Sequence, residues 1–195
     1  KEAIDVLVSK AGVDEKISRL LQEYLNKRIE EEENWKIEES LFFFSRELLK
    51  EENQTFLNRL NSFDDSQLET SKKFVLQSFK ESASKLIEIG KSAIDLIAKN
   101  GIDKRDFNRG VVFNYFEKIG QKNFASLLLP DGKILIDGIE NNIWLKKSAS
   151  ETAQSAIDSI SDELRSFYFE LKEESKTYYL FKLLKENIYN LMLIK

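Results

Sequence analysis

The last quarter of the chain, residues 150–195, constrains the fold most, because it contains neither proline nor glycine. In its first part, apolar residues recur every three or four positions, with a lapse at Glu174, which is typical of a helix with one narrow apolar stripe. From Tyr178 onward, apolar residues spread around most of the circumference. The pattern predicts one long helix over residues 150–195, and the spacing of Ser148 and Glu151 predicts a capping box at its start.

A second long helix is predicted over residues 65–99. Asp64 followed three residues later by Gln67 is a helix-start signal, and Asn100-Gly101 is a strong stop signal. The apolar residues between them keep one face, so we expect this helix to pair antiparallel with the final one. Gly90 lies on that face, where a missing side chain allows a partner helix to come close, and a kink in the middle of the helix is the alternative.

Two shorter helices are predicted, over residues 14–33 and 37–51. Asp14 is placed to cap the first, and Ile29 belongs to its apolar face. The second carries three consecutive aromatic residues, Phe42–Phe44. Packing between several helices is favoured for these rings, and a platform for stacking DNA bases is the alternative.

Residues 101–149 are predicted to be irregular. Val111–Ile119 fits a short helix, and Trp144 is expected to fill the junction with the final helix. The stretch LLLPDGKILI fits either a hairpin around its Pro-Asp-Gly turn or a loop followed by a short helix over Lys133–Glu140. The second is favoured, because a lone two-stranded hairpin is marginally stable.

The composition agrees with these predictions, since one proline and seven glycines in 195 residues favour long helices. We expect a single all-α domain over residues 1–195: an elongated lobe of two long antiparallel helices with shorter flanking helices and an irregular tip.

The absence of cysteine and histidine excludes thiol nucleophiles, imidazole bases and ordinary zinc sites. No run of 18 apolar residues and no signal-peptide layout occur, so we expect a soluble, cytoplasmic chain without membrane contact.

Motifs for catalysis are absent from the sequence. It contains no GxxxxGK[ST] phosphate loop, no GxGxxG, no EF-hand loop and no HExxH. Acidic pairs such as Asp103 with Asp106 fall at helix-cap positions, and a two-metal nuclease site needs more acids than such a pair. We therefore expect no catalytic residue, cofactor or metal in this segment. The first residue is lysine and the helical pattern runs to the last residues, so we expect a piece of a longer polypeptide.

Local charge is more informative than the net charge of −4. Residues 99–122 contain six basic and three acidic residues, a balance of +3, interleaved with aromatic residues. A basic, aromatic-bearing loop suits contact with a phosphate backbone. Ordinary surface charge around a small core is the alternative. The candidate DNA-contact residues are Lys104, Arg105, Arg109, Lys118 and Lys122.

Three stretches carry a family resemblance. They are NWKIEESLFFFSRELLKEE, NGIDKRDFNRGVVFNYFEKIG and YYLFKLLKENIYNLMLI. The first is similar to a tryptophan-then-apolar helix. The second is similar to a long helix ending in a glycine turn, followed by Asp-Phe, a glycine and an aromatic element before a lysine. The third is similar to a helix that returns the chain to an ATPase core. Together they resemble the helical 1B insertion of UvrD/Rep-like DNA helicases of the RecB and AddA type, the exodeoxyribonuclease V beta class.

The resemblance implies an accessory DNA-handling subdomain of an ATP-dependent DNA helicase or helicase–nuclease in repair and recombination. In that family the lobe projects from the motor and helps to hold duplex DNA ahead of it. The parent protein would bind ATP and Mg²⁺ through motor motifs outside these residues. Expected partners are duplex DNA, bound weakly and without sequence preference, and the remainder of the motor.

A helical protein-interaction module with no nucleic-acid role is the alternative function. The segment Tyr178–Ile194 bears on both possibilities, because it is apolar on most sides. We expect the isolated chain either to self-associate through this segment or to cover it with residues 2–11.

Overall fold

The computed structural model describes residues 6, 9–30, 37–48, 50–53, 55, 58–59 and 62–194. The helices are α1 (Glu15–Glu30), α2 (Ile37–Leu48), α3 (Asp65–Lys99), α4 (Val111–Gly120), α5 (Ala125–Leu128), α6 (Lys133–Asn141) and α7 (Glu151–Ile194). No strand occurs within the described ranges, where one isolated antiparallel bridge joins Phe107 and Leu145. The predicted all-α fold is confirmed.

Both long helices predicted from the sequence are present, as α3 and α7. Residues 31–33 of the first predicted short helix lie outside the described residues. So does residue 49 of the second, and Glu51–Asn53 form a 3-10 turn.

Side-chain caps fix where three helices begin. A carboxylate oxygen of Asp14 accepts a hydrogen bond of 3.0 Å from the backbone N–H three residues on. Asp64 and Gln67 cap each other, with side-chain to backbone distances of 2.7 and 2.8 Å. These two predicted starts are confirmed. The cap predicted at Ser148 is wrong: Ser150 directly precedes α7, and its hydroxyl accepts the N–H three residues on at 3.1 Å.

Contacts between Cα atoms divide the chain into two compact units. Unit 1 comprises Lys1–Gln77 and Phe181–Lys195, and unit 2 comprises Ser78–Leu180. α3 and α7 each contribute residues to both units. The expected single domain stays a prediction, because units that share two helices can belong to one domain or to two.

Among the described residues of unit 1, the buried apolar side chains form two small clusters. The larger joins α1, α2, α3 and the end of α7 through Leu20, Leu21, Leu41, Leu68, Met192 and Leu193. The smaller consists of Tyr24, Ile188 and Tyr189. Lys72 is 8% exposed, and its Nζ lies 2.9 Å from a Glu23 oxygen and 3.1 Å from a Glu69 oxygen. The same Nζ lies 5.6 Å from the centre of the Tyr189 ring, so unit 1 encloses a paired charge beside its smaller cluster.

These clusters show that part of the segment Tyr178–Ile194, which was expected to self-associate or to be covered by residues 2–11, is covered by other residues of the chain. Ile188, Tyr189, Met192 and Leu193 are already buried within the chain. Leu180, Leu183 and Leu184 remain 54%, 57% and 41% exposed, so these are leucines of the segment that a partner could still cover. Most of residues 2–11 lie outside the described residues, and Val6, which is described, is exposed.

Two predictions about apolar residues in unit 1 are wrong. Phe42 and Phe43 were expected to pack between helices, but they are 43% and 60% exposed. The reason is helical geometry: Leu41 takes the buried side of α2, and the next two side chains project at about 100° and 200° from it. Ile29 is also exposed, and the described clusters include α1 through Leu20, Leu21 and Tyr24, which lie earlier in the helix.

Unit 2 has one continuous apolar core. Its largest fully buried side chains are Trp144, Phe107, Phe116, Leu86, Ile97, Ile119, Ile139, Ile157 and Leu164. They come from both long helices and from the short helices and turns of residues 101–149. The predictions of a helix over Val111–Ile119 and of a buried Trp144 are confirmed.

Within unit 2, α3 and α7 pair antiparallel, as predicted. The Phe79 and Tyr178 rings stack with centroids 5.2 Å apart. Farther along α3, and earlier along α7, Ser82 Oγ donates to Glu174 at 2.5 Å and Lys85 Nζ lies 2.8 Å from the other oxygen of the same carboxylate. The lapse in the apolar stripe at Glu174 is therefore filled by a polar contact.

Gly90 confirms the predicted close approach, and the helix that approaches it is α4. A Cβ atom on Gly90 would lie 2.6 Å from the backbone nitrogen of Gly120 and 2.9 Å from the carbonyl oxygen of Phe116. No side chain fits at those distances without moving the backbone.

Residues 101–149 hold three short helices, α4 to α6, joined by turns. Of the two alternatives for LLLPDGKILI, the structure has the favoured one: a loop that leads into the helix Lys133–Asn141. The loop is held to α7, because the Asp131 carboxylate accepts hydrogen bonds from Tyr168 Oη at 2.6 Å and Lys172 Nζ at 2.9 Å.

Candidate nucleic-acid interface

The candidate segment starts where α3 ends in a glycine turn. Gly101 has a left-handed φ of 68°, and its N–H donates to the Ala98 carbonyl at 3.0 Å. The N–H of Ile102 donates to the Ile97 carbonyl at 3.3 Å, and both of these side chains are buried. This double hydrogen bond with its apolar contact is a Schellman motif, so it anchors the beginning of the basic segment to the core of unit 2.

A capping box then fixes the backbone of the turn that carries Lys104 and Arg105, the first two basic candidates. Asp103 Oδ1 accepts the N–H of Arg105 at 2.8 Å, and Asp106 Oδ2 accepts the N–H of Asp103 at 3.1 Å. These bonds confirm the cap positions predicted for both aspartates. The Arg105 guanidinium also donates to the Asp103 carboxylate at 2.9 Å. Mainly through that side-chain contact, the pKa of Asp103 falls from 3.8 to about 2.

The next residues attach the segment to the turn that precedes α7. Phe107 forms the isolated bridge with Leu145, and the N–H of Asn108 donates to the Trp144 carbonyl at 3.0 Å. The N–H of Lys146 donates to the Asp106 carbonyl at 2.8 Å. Trp144 is 1% exposed, so these bonds hold the basic segment against a fixed part of the core.

Arg109 projects from a sharp reversal of the backbone. It has a φ of 51° and Gly110 has a φ of 65°, so two consecutive residues are left-handed immediately before α4. The left-handed conformation costs a residue with a Cβ about 1–2 kcal/mol. The core contacts on both sides offset this cost, and the Arg109 side chain is exposed.

Lys104 connects the segment to α4. Its Nζ lies 2.8 Å from a Glu117 carboxylate oxygen and 5.2 Å from the centre of the Phe113 ring. Its Cγ lies 3.9 Å from the position of a Cβ on Gly110. Lys104 therefore sits beside the residue that follows Arg109 and reaches the residue that precedes Lys118.

Lys118 and Lys122 lie at the end of α4. Lys118 is in its last turn, and its carbonyl accepts the N–H of Asn123 at 2.8 Å. Lys122 has a left-handed φ of 66°. Both side chains are exposed, so the basic surface extends past the helix end.

All five candidate residues are therefore exposed side chains of unit 2, and they fall into two groups. Lys104 and Arg105 are paired with carboxylates of Glu117 and Asp103. Arg109, Lys118 and Lys122 have no carboxylate within 4 Å in the part of the chain that the structure describes. Their role in DNA contact stays a prediction, and the second group is the part of the patch with unneutralised charge.

The aromatic residues of this segment do not serve as a stacking platform. Phe107, Tyr115 and Phe116 are buried in the core of unit 2, and Phe113 is half-buried. The Tyr115 hydroxyl is enclosed without a hydrogen-bond partner among the described residues. The interleaving of basic and aromatic residues thus reflects helix packing, with the aromatic side inward and the basic side outward.

Sequence reasoning missed the exposure of the leucines at the end of α5 and directly after it. Leu128 and Leu129 were treated as part of a loop or hairpin, yet they are 63% and 64% exposed. Lys133, which follows this turn, is exposed as well. Three consecutive leucines before a proline were the available signal, but the sequence does not show that Leu127 takes the buried position and the next two do not.

The described residues contain no group of three or more acidic side chains placed to hold a metal ion. None of the described helices is both long enough and apolar enough to cross a membrane. Comparison of the chain with protein-family models, curated proteins and solved structures gives no significant match.

Proposed function

We propose that this chain is an accessory DNA-contacting lobe of a larger ATP-dependent DNA helicase or helicase–nuclease of the RecB/AddA type, acting in the cytoplasm. The observation that carries the proposal is the set Arg109, Lys118 and Lys122. They are three exposed cations without a carboxylate within 4 Å among the described residues, placed around α4 in a chain whose net charge is −4. ATP and Mg²⁺ belong to the motor of the parent protein in this proposal, and no residue of this chain is assigned to them.

The geometry suits contact with a phosphate backbone rather than base recognition. The aromatic residues nearest to the cations face the core, so they are not available for stacking on bases. Exposed cations on an anchored segment give salt-sensitive binding without sequence preference. Such binding helps to hold a duplex while a motor moves along it.

The test is duplex binding by the full chain as a function of salt, measured by fluorescence anisotropy. Three phosphate contacts give a log–log slope of roughly −2.7, against roughly −4.5 if all five candidates contribute. We expect the smaller slope, since Lys104 and Arg105 already have carboxylate partners. The dissociation constant should be on the order of 10⁻⁴ to 10⁻⁶ M, as for nonspecific contacts.

The variant that tests the patch combines Arg109→Gln, Lys118→Gln and Lys122→Gln. It removes charge without altering side-chain length greatly, and we expect it to lose nearly all of the salt dependence. A matched control combines Lys10→Gln, Lys73→Gln and Lys80→Gln, which removes three exposed lysines elsewhere. Equal losses in both variants, or none in the first, would contradict the assignment of the patch.

A helical protein-interaction module is the second candidate, favoured by a different observation. Phe74, Leu183 and Leu184 of unit 1 are all more than 40% exposed, although Ile188, Tyr189, Met192 and Leu193 near the end of α7 are buried. A Leu183→Ser and Leu184→Ser double variant should lower the sedimentation coefficient if copies of the chain associate through these leucines. This candidate replaces the first if the parent chain binds no DNA at low salt and that double variant converts an oligomer into a monomer.

A further inference from the structure

Two adjacent leucines form an exposed apolar tip in unit 2, a few residues after Lys118 and Lys122 in the sequence. Leu128 ends α5 and Leu129 follows it before Pro130. They are 63% and 64% exposed, whereas Leu127, the residue before them, is 8% exposed. The chain therefore buries one leucine to hold α5 in place and presents the next two to solvent.

Hydrogen bonds fix the turn on both sides of this tip. On one side the Tyr179 hydroxyl donates to the Phe124 carbonyl at 2.9 Å. On the other side Asp131 accepts hydrogen bonds from Tyr168 Oη and Lys172 Nζ, and its side chain is 15% exposed. The side chains that make these hydrogen bonds on both sides of the tip belong to α7. The leucines therefore project from a turn that is attached to a 44-residue helix.

Positive charge flanks the tip along the chain. Lys118 and Lys122 precede it, Lys133 follows it, and all three are exposed. The acidic residue of this stretch, Asp131, is already engaged by Lys172 at 2.8 Å. None of the three flanking lysines has a carboxylate within 4 Å in the described ranges. The occupant of this surface should therefore combine negative charge with a small apolar face.

Nucleic acid fits this combination better than a protein partner does. A stable protein interface buries about 800 Å² on each side, which two leucine side chains cannot supply. A nucleobase offers an apolar face of about the size of one or two leucines, with phosphates beside it. Leucine is also among the side chains that proteins insert between base steps to unstack them.

We propose that Leu128 and Leu129 form a wedge that contacts the exposed bases where a duplex opens, with Lys118, Lys122 and Lys133 on the flanking phosphates. This inference rests on the proposed function and specifies its substrate as a junction between double- and single-stranded DNA. It gives the lobe a role in holding the duplex end open, in addition to holding the duplex.

The test compares a forked duplex with a blunt duplex of equal length, each carrying 2-aminopurine at the terminal base pair. We expect the full chain to prefer the fork by roughly fivefold, the low end of what contact with one base supplies. 2-Aminopurine fluorescence at the fork should rise on binding, because the probe unstacks. The Leu128→Ser and Leu129→Ser double variant should lose both effects and keep the affinity and salt slope for blunt duplex.

The matched control is the Leu183→Ser and Leu184→Ser variant, which makes the same chemical change at two exposed leucines of unit 1. It should keep the fork preference, and far-ultraviolet circular dichroism should show unchanged helicity in both variants. An unchanged fork preference in the Leu128/Leu129 variant overturns the wedge while salt-dependent duplex binding remains. Absence of binding to both DNAs overturns the wedge and the proposed function together. Binding to anionic vesicles that depends on the same leucines, without fork preference, overturns it in favour of a lipid contact.

Discussion

The two units bury their apolar residues in different ways. In the described residues, unit 2 has one continuous core that includes Trp144, Phe107 and Phe116. The described residues of unit 1 form two smaller clusters, and two of its aromatic residues, Phe43 and Phe74, are at least 60% exposed. In unit 2, three short helices and their turns pack against the long helices. Helices that meet along stripes leave their other faces in solvent, whereas short helices and turns placed across a helix pair cover it from further directions.

The largest expected effect comes from removing the ring at the centre of the unit 2 core. Trp144→Ala should lower the free energy of unfolding by about 3–5 kcal/mol, because the ring is fully buried and its loss leaves a large cavity. Thermal or urea denaturation measures this cost. Hydrogen exchange should show faster exchange throughout residues 102–145, since one continuous core connects them.

The counterpart in unit 1 is Leu41→Ala, which removes a fully buried side chain from the larger of its two clusters. Faster exchange should be confined to α1, α2, the start of α3 and the end of α7, which this cluster joins. If Trp144→Ala and Leu41→Ala each loosened both units equally, the contrast between one core and several clusters would have no energetic meaning.

The second effect is a loss of stability where the backbones of α3 and α4 approach closely in unit 2. Gly90→Ala should cost about 1–3 kcal/mol or more, because the new Cβ would lie 2.6 Å from the backbone of Gly120. Gly132→Ala is the matched control, since Gly132 has a φ of −69° and nothing within 4 Å of its Cβ position. Equal stability of the two variants by urea denaturation would show that α4 moves away freely.

The third effect is a loss of stability at high pH. Burial, assisted by the nearby Asp131 carboxylate, raises the pKa of Tyr115 above its ordinary value of 10.0. The folded chain therefore keeps this proton while the unfolded chain releases it, so stability is present below pH 10 and is lost as the pH rises above it. The expected loss is about 1 kcal/mol at one pH unit above that value.

Tyr115→Phe should reduce this pH dependence and leave the smaller part that comes from Tyr168 and Tyr179, whose pKa values burial also raises. Stability at neutral pH should not fall, because the buried Tyr115 hydroxyl has no hydrogen-bond partner among the described residues. Absorbance at 295 nm follows the ionisation directly. The prediction fails if every tyrosine of the folded chain titrates together near pH 10.

Sequence alone predicted the helices well because their signals are local. The reciprocal pair Asp64 and Gln67, the glycine turn at Gly101 and the periodicity of the two long helices each involve neighbours a few residues apart. Periodicity places Phe42 and Phe43 off the apolar stripe that contains Leu41, and the prediction that other helices would cover them was wrong. Whether off-stripe rings are covered depends on which neighbours reach α2 in space, and periodicity does not contain that information.

The candidate site, too, was predictable from the sequence only where the signals are local. The five basic residues were selected as candidates from the local charge, and Asp103 and Asp106 were predicted to lie at cap positions. The caps are confirmed. The pairing of Lys104 with Glu117 and the anchoring of Asp131 by Lys172 join residues 13 and 41 positions apart. Contacts over such distances in sequence determine which cations remain unneutralised and which leucines are exposed, so the site could not be completed before the fold was known.

The contact of Glu174 with Ser82 and Lys85 has a consequence for how the long helices align. Apolar stripes tolerate sliding, since one leucine replaces another after each turn. A slide of one turn, about 5.4 Å, would carry the Glu174 carboxylate towards Phe79 in one direction or Ile89 in the other. Its charge would then be enclosed without a partner, which costs several kcal/mol. A single polar contact thus selects one axial register from several that hydrophobic packing alone would permit.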